Sequence, residues 1–256
     1  MKLTKTLLAL SLGAFAATAG ANTTVSTNSL QNGLDALTEG GAFYDVNNDQ
    51  YNPDEVWQIT SSGASVNRLI FEFAGFEASA QFGIYDLNDT NNRLMIFDGS
   101  ACGTADTTCT PQGNLELLVD GAGYQFSTLS GGGSATFSSD SFGYYLSSGD
   151  GTFFSQSALN AGIADANHNN TTDHMIAFRG DDATRLDING GTSYKTFNSG
   201  EFILAWEDLM FPNSDYDYSD FVVLVESVLP VPEPGTLALL GLGLAGLGAA
   251  RRRQKA

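Results

Sequence analysis

Phe202-Ile203-Leu204-Ala205-Trp206-Glu207-Asp208-Leu209 is followed, after Met210-Phe211-Pro212-Asn213, by Ser214-Asp215-Tyr216-Asp217-Tyr218-Ser219-Asp220 and then Phe221-Val222-Val223-Leu224-Val225. Two short apolar runs rich in aromatic and β-branched residues, separated by a turn crowded with Asp and Ser, read as two β-strands joined by an acidic loop. Working outward, similar runs recur. They are Arg68–Phe76, Gln81–Tyr85, Arg93–Phe97, Leu115–Val119, Ser134–Phe137, Phe142–Leu146 and Met175–Phe178, with Gly, Asn, Asp and Ser between them. Many short strands at close spacing predict an all-β domain, a β-sandwich or jelly roll, spanning about residues 40–228. One helix is expected at Ser29–Leu37, where Leu30, Leu34 and Leu37 share a face. No solenoid period is visible. The Gly131-Gly132-Gly133 turn marks a candidate junction between an N-terminal part, 22–141, and a C-terminal region, 142–228.

Charge narrows the partners. The 256-residue chain has 11 Lys and Arg against 29 Asp and Glu. Lys2, Lys5, Arg251, Arg252, Arg253 and Lys255 lie at the extreme ends, so Arg68, Arg93, Arg179, Arg185 and Lys195 are left to face all 29 acids. A body so acidic repels phosphate backbones and anionic lipid head groups, which excludes nucleic-acid binding. Its natural small partners are cations.

The two ends read as addresses rather than fold. Residues 1–21 open with Lys2 and Lys5, continue through Leu7-Leu8-Ala9-Leu10-Ser11-Leu12 and finish in the small residues Ala17-Thr18-Ala19-Gly20-Ala21. That is the pattern of a signal peptide for export, to be removed by signal peptidase. At the other end, residues 229–256 contain Val231-Pro232-Glu233-Pro234-Gly235, an apolar Leu/Gly/Ala stretch through Ala250, and Arg251-Arg252-Arg253. As a helix, residues 235–250 would span about 24 Å at ~1.5 Å per residue. A bilayer core needs about 30 Å, so this is a short span, suited to a transient stop in the inner membrane with the arginines on the cytoplasmic side.

Pro232-Glu233-Pro234, the Gly/Leu helix and the arginine cluster, in that order, resemble the PEP-CTERM sorting signal of Gram-negative bacteria. The resemblance implies recognition and cleavage near the Pro-Glu-Pro motif by exosortase, a membrane-embedded cysteine protease-transpeptidase. It also implies delivery to the cell surface or extracellular matrix, usually in bacteria that make exopolysaccharide.

Cys102 and Cys109 are the two cysteines, six residues apart. In an oxidising compartment they read as a disulfide stapling one loop, worth roughly 2–3 kcal/mol in the chain-entropy picture. Their spacing is wider than that of a redox Cys-x-x-Cys pair, and no His lies beside them to make a metal site.

The chemistry concentrates in the acidic loop. Asp215, Asp217 and Asp220 fall between the two strands, and Glu207 and Asp208 stand at the end of the first. Carboxylates this close repel and raise one another's pKa unless a cation neutralises them. Hard oxygen ligands at alternating positions suit Ca²⁺, which takes six to eight oxygens at ~2.3–2.6 Å. The reading is therefore a structural Ca²⁺ site made by Glu207, Asp208, Asp215, Asp217 and Asp220. A solvated acidic turn is the plainer alternative, and catalysis the least favoured. A second run, Asp45-Val46-Asn47-Asn48-Asp49-Gln50, opens like a Ca²⁺ loop. Gln50 stands where an EF-hand has Gly, however, and Val56 where it has the bidentate Glu, so an EF-hand is rejected in favour of an Asx-turn loop or a looser site.

Phe153-Phe154-Ser155-Gln156-Ser157-Ala158-Leu159-Asn160, Asp173-His174-Met175-Ile176-Ala177-Phe178, Trp206-Glu207-Asp208-Leu209 and Asp215–Phe221 together resemble the domain-of-unknown-function family 4114 over residues 142–228. Ser219 stands where that family's pattern has Asn. The resemblance implies a β-sandwich in an exported protein and suggests Ca²⁺, with no established activity. It also places Asp173-His174 at the start of a strand, and so implies a buried, hydrogen-bonded His174 near the carboxylates. No nucleophile motif accompanies it. His168 is expected in a solvated loop.

The function expected from these readings is that of an exported, non-catalytic, Ca²⁺-stabilised surface or matrix protein. The alternative is a Ca²⁺-dependent carbohydrate-binding module for exopolysaccharide, with Trp57 as the surface aromatic and Trp206 in the core. A glycosidase using a carboxylate pair such as Glu72 and Glu207 is a third reading, and it would require an open cleft.

Overall fold

The computed structural model describes residues 22–60, 63–71, 80–98, 112–120, 123–128, 133–160, 172–188, 194–232 and 251. In chain order the elements are α1 (Ser29–Leu37), β1 (Trp57–Ile59), β2 (Ala64–Phe71), β3 (Gln81–Asp86), β4 (Asp89–Asp98), β5 (Gln112–Asp120), β6 (Gly123–Thr128), β7 (Gly133–Phe137) and β8 (Ser141–Ser147). They continue with β9 (Thr152–Phe154), β10 (Met175–Arg179), β11 (Arg185–Leu186), β12 (Lys195–Thr196), β13 (Glu201–Trp206), β14 (Phe221–Glu226) and β15 (Val228–Pro230). A seven-stranded sheet in the order β10-β13-β14-β2-β5-β6-β7 packs on a six-stranded sheet ordered β15-β1-β8-β3-β4, with β9 paired to β8. This is the all-β sandwich expected. Both 22–141 and 142–228 supply strands to each sheet.

The apolar runs in β13 and β14 are continuous because both faces of these strands are covered. Phe202, Leu204 and Trp206, with Phe221, Val223 and Val225, point into the core between the sheets. Ile203, Ala205, Val222 and Leu224 point the other way, into a second core with Val25, Leu30, Leu34, Phe43, Phe178, Phe197, Tyr216 and Tyr218. Strict alternation is the mark of a one-faced strand, and it survives in β2, where Ser65, Asn67 and Leu69 are buried and their neighbours are half-buried. Helix α1 falls where expected, with Leu30 and Leu34 in the second core.

One ribbon folds over from sheet to sheet. β2 pairs with β14 in the larger sheet, and β1 pairs with β15 in the smaller, so both chains change sheet at the same place. The corner needs left-handed backbone at Gly63 (φ 73°) and Ser227 (φ 60°), and Thr60 N–H donates to Ser227 O across it at 2.9 Å. On the outer face of the smaller sheet, Tyr85 lies over its cross-strand partner Gly143. A Cβ there would meet the Tyr85 ring at 2.2 Å.

Several expectations are revised. Trp57, expected at the surface, is fully buried. Its ring meets Phe202 edge-on at 4.9 Å, and its Nε1–H donates to Asp54 O at 2.7 Å. Strand β2 starts at Ala64, four residues before the apolar run suggests, because the Gly63 turn sets its beginning. The polar β6 and the very short β1, β9, β11, β12 and β15 carry too weak a pattern to be seen in the sequence. The domain also begins earlier than residue 40, since residues 22–37 are built into it. Cys102, Cys109, Glu72, His168 and the Gly131–Gly132 part of the expected junction lie outside the described residues.

Trp57→Ala should cost about 3–5 kcal/mol, as for large aromatic truncations in a packed core. Thermal unfolding should then fall by about 6–20 °C at ~2–4 °C per kcal/mol for a domain of this size. A surface Trp57 would give a change of under about 2 °C.

Candidate functional site

The loop between β13 and β14 is held in an unusual path. Tyr216 and Tyr218 both have left-handed backbone, φ 58° and 54°, which costs of order 1–2 kcal/mol for a residue with a Cβ. Surrounding contacts fix it. The Tyr216 ring stacks on Phe211 at 4.5 Å, and Tyr216 N–H donates to Ser214 Oγ at 2.9 Å. Tyr218 Oη donates to Asp173 O at 2.6 Å. With both tyrosines turned inward, the intervening Asp217 is drawn into a buried position.

Three carboxylates converge there. One oxygen each from Glu207, Asp217 and Asp220 lies within 4.8 Å of the others. Asp217 Oδ1 accepts from the Ser219 N–H and hydroxyl, both at 2.8 Å, and Asp220 Oδ2 accepts from Asp208 N–H at 3.0 Å. Glu207 is fully buried, and neither of its carboxylate oxygens has a hydrogen-bond partner of acceptable geometry. Ser214 and Asp220 are its polar neighbours. Burial first, then the negative charge of Asp220, pushes the Glu207 carboxyl up to about 10. Burial also raises Asp220, and partial desolvation followed by the nearby charge of Asp217 raises Asp215 although it is exposed.

Of the five expected ligands, Glu207, Asp217 and Asp220 are thus brought together. Asp215 is exposed and outside this group. Asp208 is buried, and it meets the group through its backbone N–H while its C=O accepts from Ser148 Oγ at 2.7 Å. The second acidic run is self-satisfied. Asp45 Oδ1 accepts from the Asn47 and Asn48 N–H groups, and Asp49 Oδ2 accepts from Asp45 N–H. That is an Asx-turn loop, not a ligand shell.

His174 sits behind the carboxylates as the expected buried histidine. Its ring is stacked between Phe153 and Phe211, 4.1 Å from each. Its Nδ1 lies 3.2 Å from Glu207 O, a carbonyl that can only accept, so Nδ1 carries the proton. Glu207 N–H returns a bond to His174 O at 2.9 Å. This exchange extends the β10–β13 ladder by one pair past Met175 and Trp206, and it fixes the backbone from which the Glu207 carboxylate projects. Burial pushes the imidazole down to about 4. A further carboxyl, the half-buried Asp173, is raised to about 7 by desolvation, and its Oδ2 accepts from Thr23 Oγ1 at 3.3 Å. The pairing of Asp173 with the N-terminal segment has no local sequence signal, since the two are 150 residues apart.

At the other end of the chain, β15 leads directly into the tail. Val231 N–H still bonds Val56 O at 2.7 Å, and Pro232 is exposed. Arg251 is exposed, while Glu233, Pro234, residues 235–250, Arg252 and Arg253 lie outside the described residues. Among the described residues no helix is long and apolar enough to cross a membrane.

Residues 230–253 match the family model of the PEP-CTERM protein-sorting motif. The tail is a sorting signal. It marks the chain as an exported substrate of exosortase, bound for the cell surface or extracellular space. Comparison with curated proteins and with solved structures returns no match.

His174 and Glu207 give opposite pH limbs in the absence of metal, and Asp173, also raised, adds to the falling limb up to about pH 7. His174 is lowered, so its contribution is full above its unfolded value near 6.5 and is lost as pH falls toward 4, a loss of about 3 kcal/mol. Glu207 is raised, so its contribution is full below its unfolded value near 4.5 and is lost as pH climbs toward 10. Thermal unfolding in EDTA across pH 4–9 should show both limbs. His174→Phe, which preserves the ring stack, should flatten the acid limb, and Glu207→Gln the alkaline one. An unchanged profile in either variant would reassign that limb.

Proposed function

We propose that the exported body is a non-catalytic surface or matrix protein whose sandwich is stabilised by Ca²⁺ at Glu207, Asp217 and Asp220. The observation that carries this reading is the Glu207 carboxyl, fully buried, making no well-formed hydrogen bond, and set against two further carboxylates. Three carboxylates gathered inside the protein are costly when ionised, and without a cation Glu207 meets that cost by holding a proton. A hard divalent cation offsets that cost, and these donors are all oxygen, the type Ca²⁺ takes. Glu207, Asp217 and Asp220 would hold the ion. Its role would be to tie the end of β13 to the start of β14, with no substrate turned over.

The resemblance of residues 142–228 to domain-of-unknown-function family 4114 supports the same reading. So does an acidic body in an extracellular setting, where millimolar Ca²⁺ is the usual regime for such modules. Delivery by the sorting tail fits a role in an exopolysaccharide-containing matrix. The glycan-binding alternative loses its nominated anchor, because Trp57 and Trp206 are both buried. The glycosidase reading loses one member, because Glu207 is closed to solvent.

The test is thermal unfolding of the purified exported protein at pH 8 in EDTA and in ~10 mM CaCl₂. With a Kd near 1 mM, tenfold excess stabilises by about 1.4 kcal/mol. This appears as a rise of about 3–5 °C. Glu207→Gln should abolish the rise and leave the protein in EDTA at least as stable as the parent. A parent with no rise, or a variant with the same rise, would sink the site.

A further inference from the structure

The first described residues of the chain, Asn22–Ser26, are tied down by hydrogen bonds from Asn22, Thr23, Val25 and Ser26. Asn22 Nδ2 donates to Asn47 O at 2.9 Å. Thr23 and Gln50 form a reciprocal clamp, Thr23 N–H to Gln50 Oε1 at 2.8 Å and Gln50 Nε2 to Thr23 O at 2.7 Å. Val25 N–H donates to Asn47 Oδ1 at 2.8 Å, and the Val25 side chain is buried in the second core beside Phe211, Tyr216 and Tyr218. Two further bonds reach the acidic loop. Ser26 N–H donates to Tyr216 O at 2.9 Å. Thr23 Oγ1 donates to Asp173 Oδ2, and the carbonyl of the same Asp173 accepts Tyr218 Oη.

We propose that this segment is a strap that positions Asp217 for cation binding, with Thr23 and Ser26 as its positioning residues. The inference rests on the cation reading above. Asp217 is flanked by the two left-handed tyrosines, and the strap holds one directly and the other through Asp173. Left-handed backbone at two residues with side chains persists only where the surroundings over-determine it. Without the strap, Tyr216 O loses the Ser26 N–H bond and the second core loses Val25. The loop is then free to relax toward ordinary backbone, which turns Asp217 away from Glu207 and Asp220. Strap docking and cation binding are therefore thermodynamically linked. If the docked strap tightens the cation, the cation must protect the docked strap by the same factor.

Terbium alone, followed by luminescence sensitised through nearby tyrosine and tryptophan, is the probe for affinity. Val25→Asp places a charge in an apolar site and drives the strap off without altering a ligand or the loop. The expected result is terbium affinity at least tenfold weaker than in the parent, with the near-ultraviolet circular dichroism of the sandwich retained in EDTA. Equal affinity in parent and variant overturns the strap and leaves the cation site standing. A flat parent titration overturns the cation site and the strap with it. Hydrogen exchange on the parent keeps the proposal falsifiable should Val25→Asp fail to fold. Terbium must then slow the Val25 and Ser26 amides at least tenfold, and unchanged exchange at those amides overturns the strap.

Discussion

The constraint on which the molecule turns is that β13 and β14 are covered on both faces. Every side chain from Phe202 to Trp206 and from Phe221 to Val225 is buried, alternately in one core and the other. Strands enclosed in this way can carry no polar side chain along their length without burying it, so polar groups collect at their ends. Glu207 is the first residue beyond the last ladder pair of β13 and is still inside the protein. Its position follows from the sandwich geometry: the sheet ends one residue too early to bring its carboxylate into water. The loop that follows must then close over an acid, and the inward tyrosines and the His174 ring stack make that closure rigid.

The parts of this arrangement that rest on local pattern were readable in the sequence. The apolar runs of β13, β14, β10 and β8 identify themselves by aromatic and β-branched content, and α1 by the spacing of Leu30 and Leu34. Three of the carboxylates nominated for the cation, Glu207, Asp217 and Asp220, converge because they flank one turn. What the sequence does not carry is direction. Asp215 and Asp217 have the same chemistry and nearly the same position, and only the left-handed backbone at Tyr216 and Tyr218 sends one inward and leaves the other in solvent. The Trp57 error has a similar origin. A tryptophan in a polar stretch looks exposed until β1 is known to pair with β8 and β15, which sets its ring against Phe202. Contacts as distant as Thr23 with Asp173 leave no trace in either segment.

The two ends of the β13–β14 hairpin show how this body handles crowded acids. At one end Glu201 and Glu226 lie directly opposite each other, a like-charge pairing that destabilises a ladder. Lys195 Nζ answers it, 2.7 Å from Glu201 Oε1 and 2.5 Å from Glu226 Oε1. At the other end one oxygen each from Glu207, Asp217 and Asp220 lies within 4.8 Å of the others, with Glu207 fully buried, yet no ion pair is made to them among the described residues. The remaining basic side chains of the body are committed elsewhere. Arg68 donates to Ile188 O, and Arg93 lies over Tyr145 and Phe154. Arg179 donates to Ser199 O, and Arg185 pairs with Glu39. Between its extreme ends the chain has five basic residues for 29 acids and cannot neutralise every acidic cluster from within. Where it spends Lys195, a surface hairpin is closed by the protein's own charge. Where it spends none, the balancing charge has to come either from protons, which Glu207 would hold up to about pH 10, or from the medium into which the sorting signal delivers the protein. A carboxyl raised to about 10 keeps its proton at neutral pH, so a cation takes over there only if the three converging carboxylates bind it tightly enough to displace that proton.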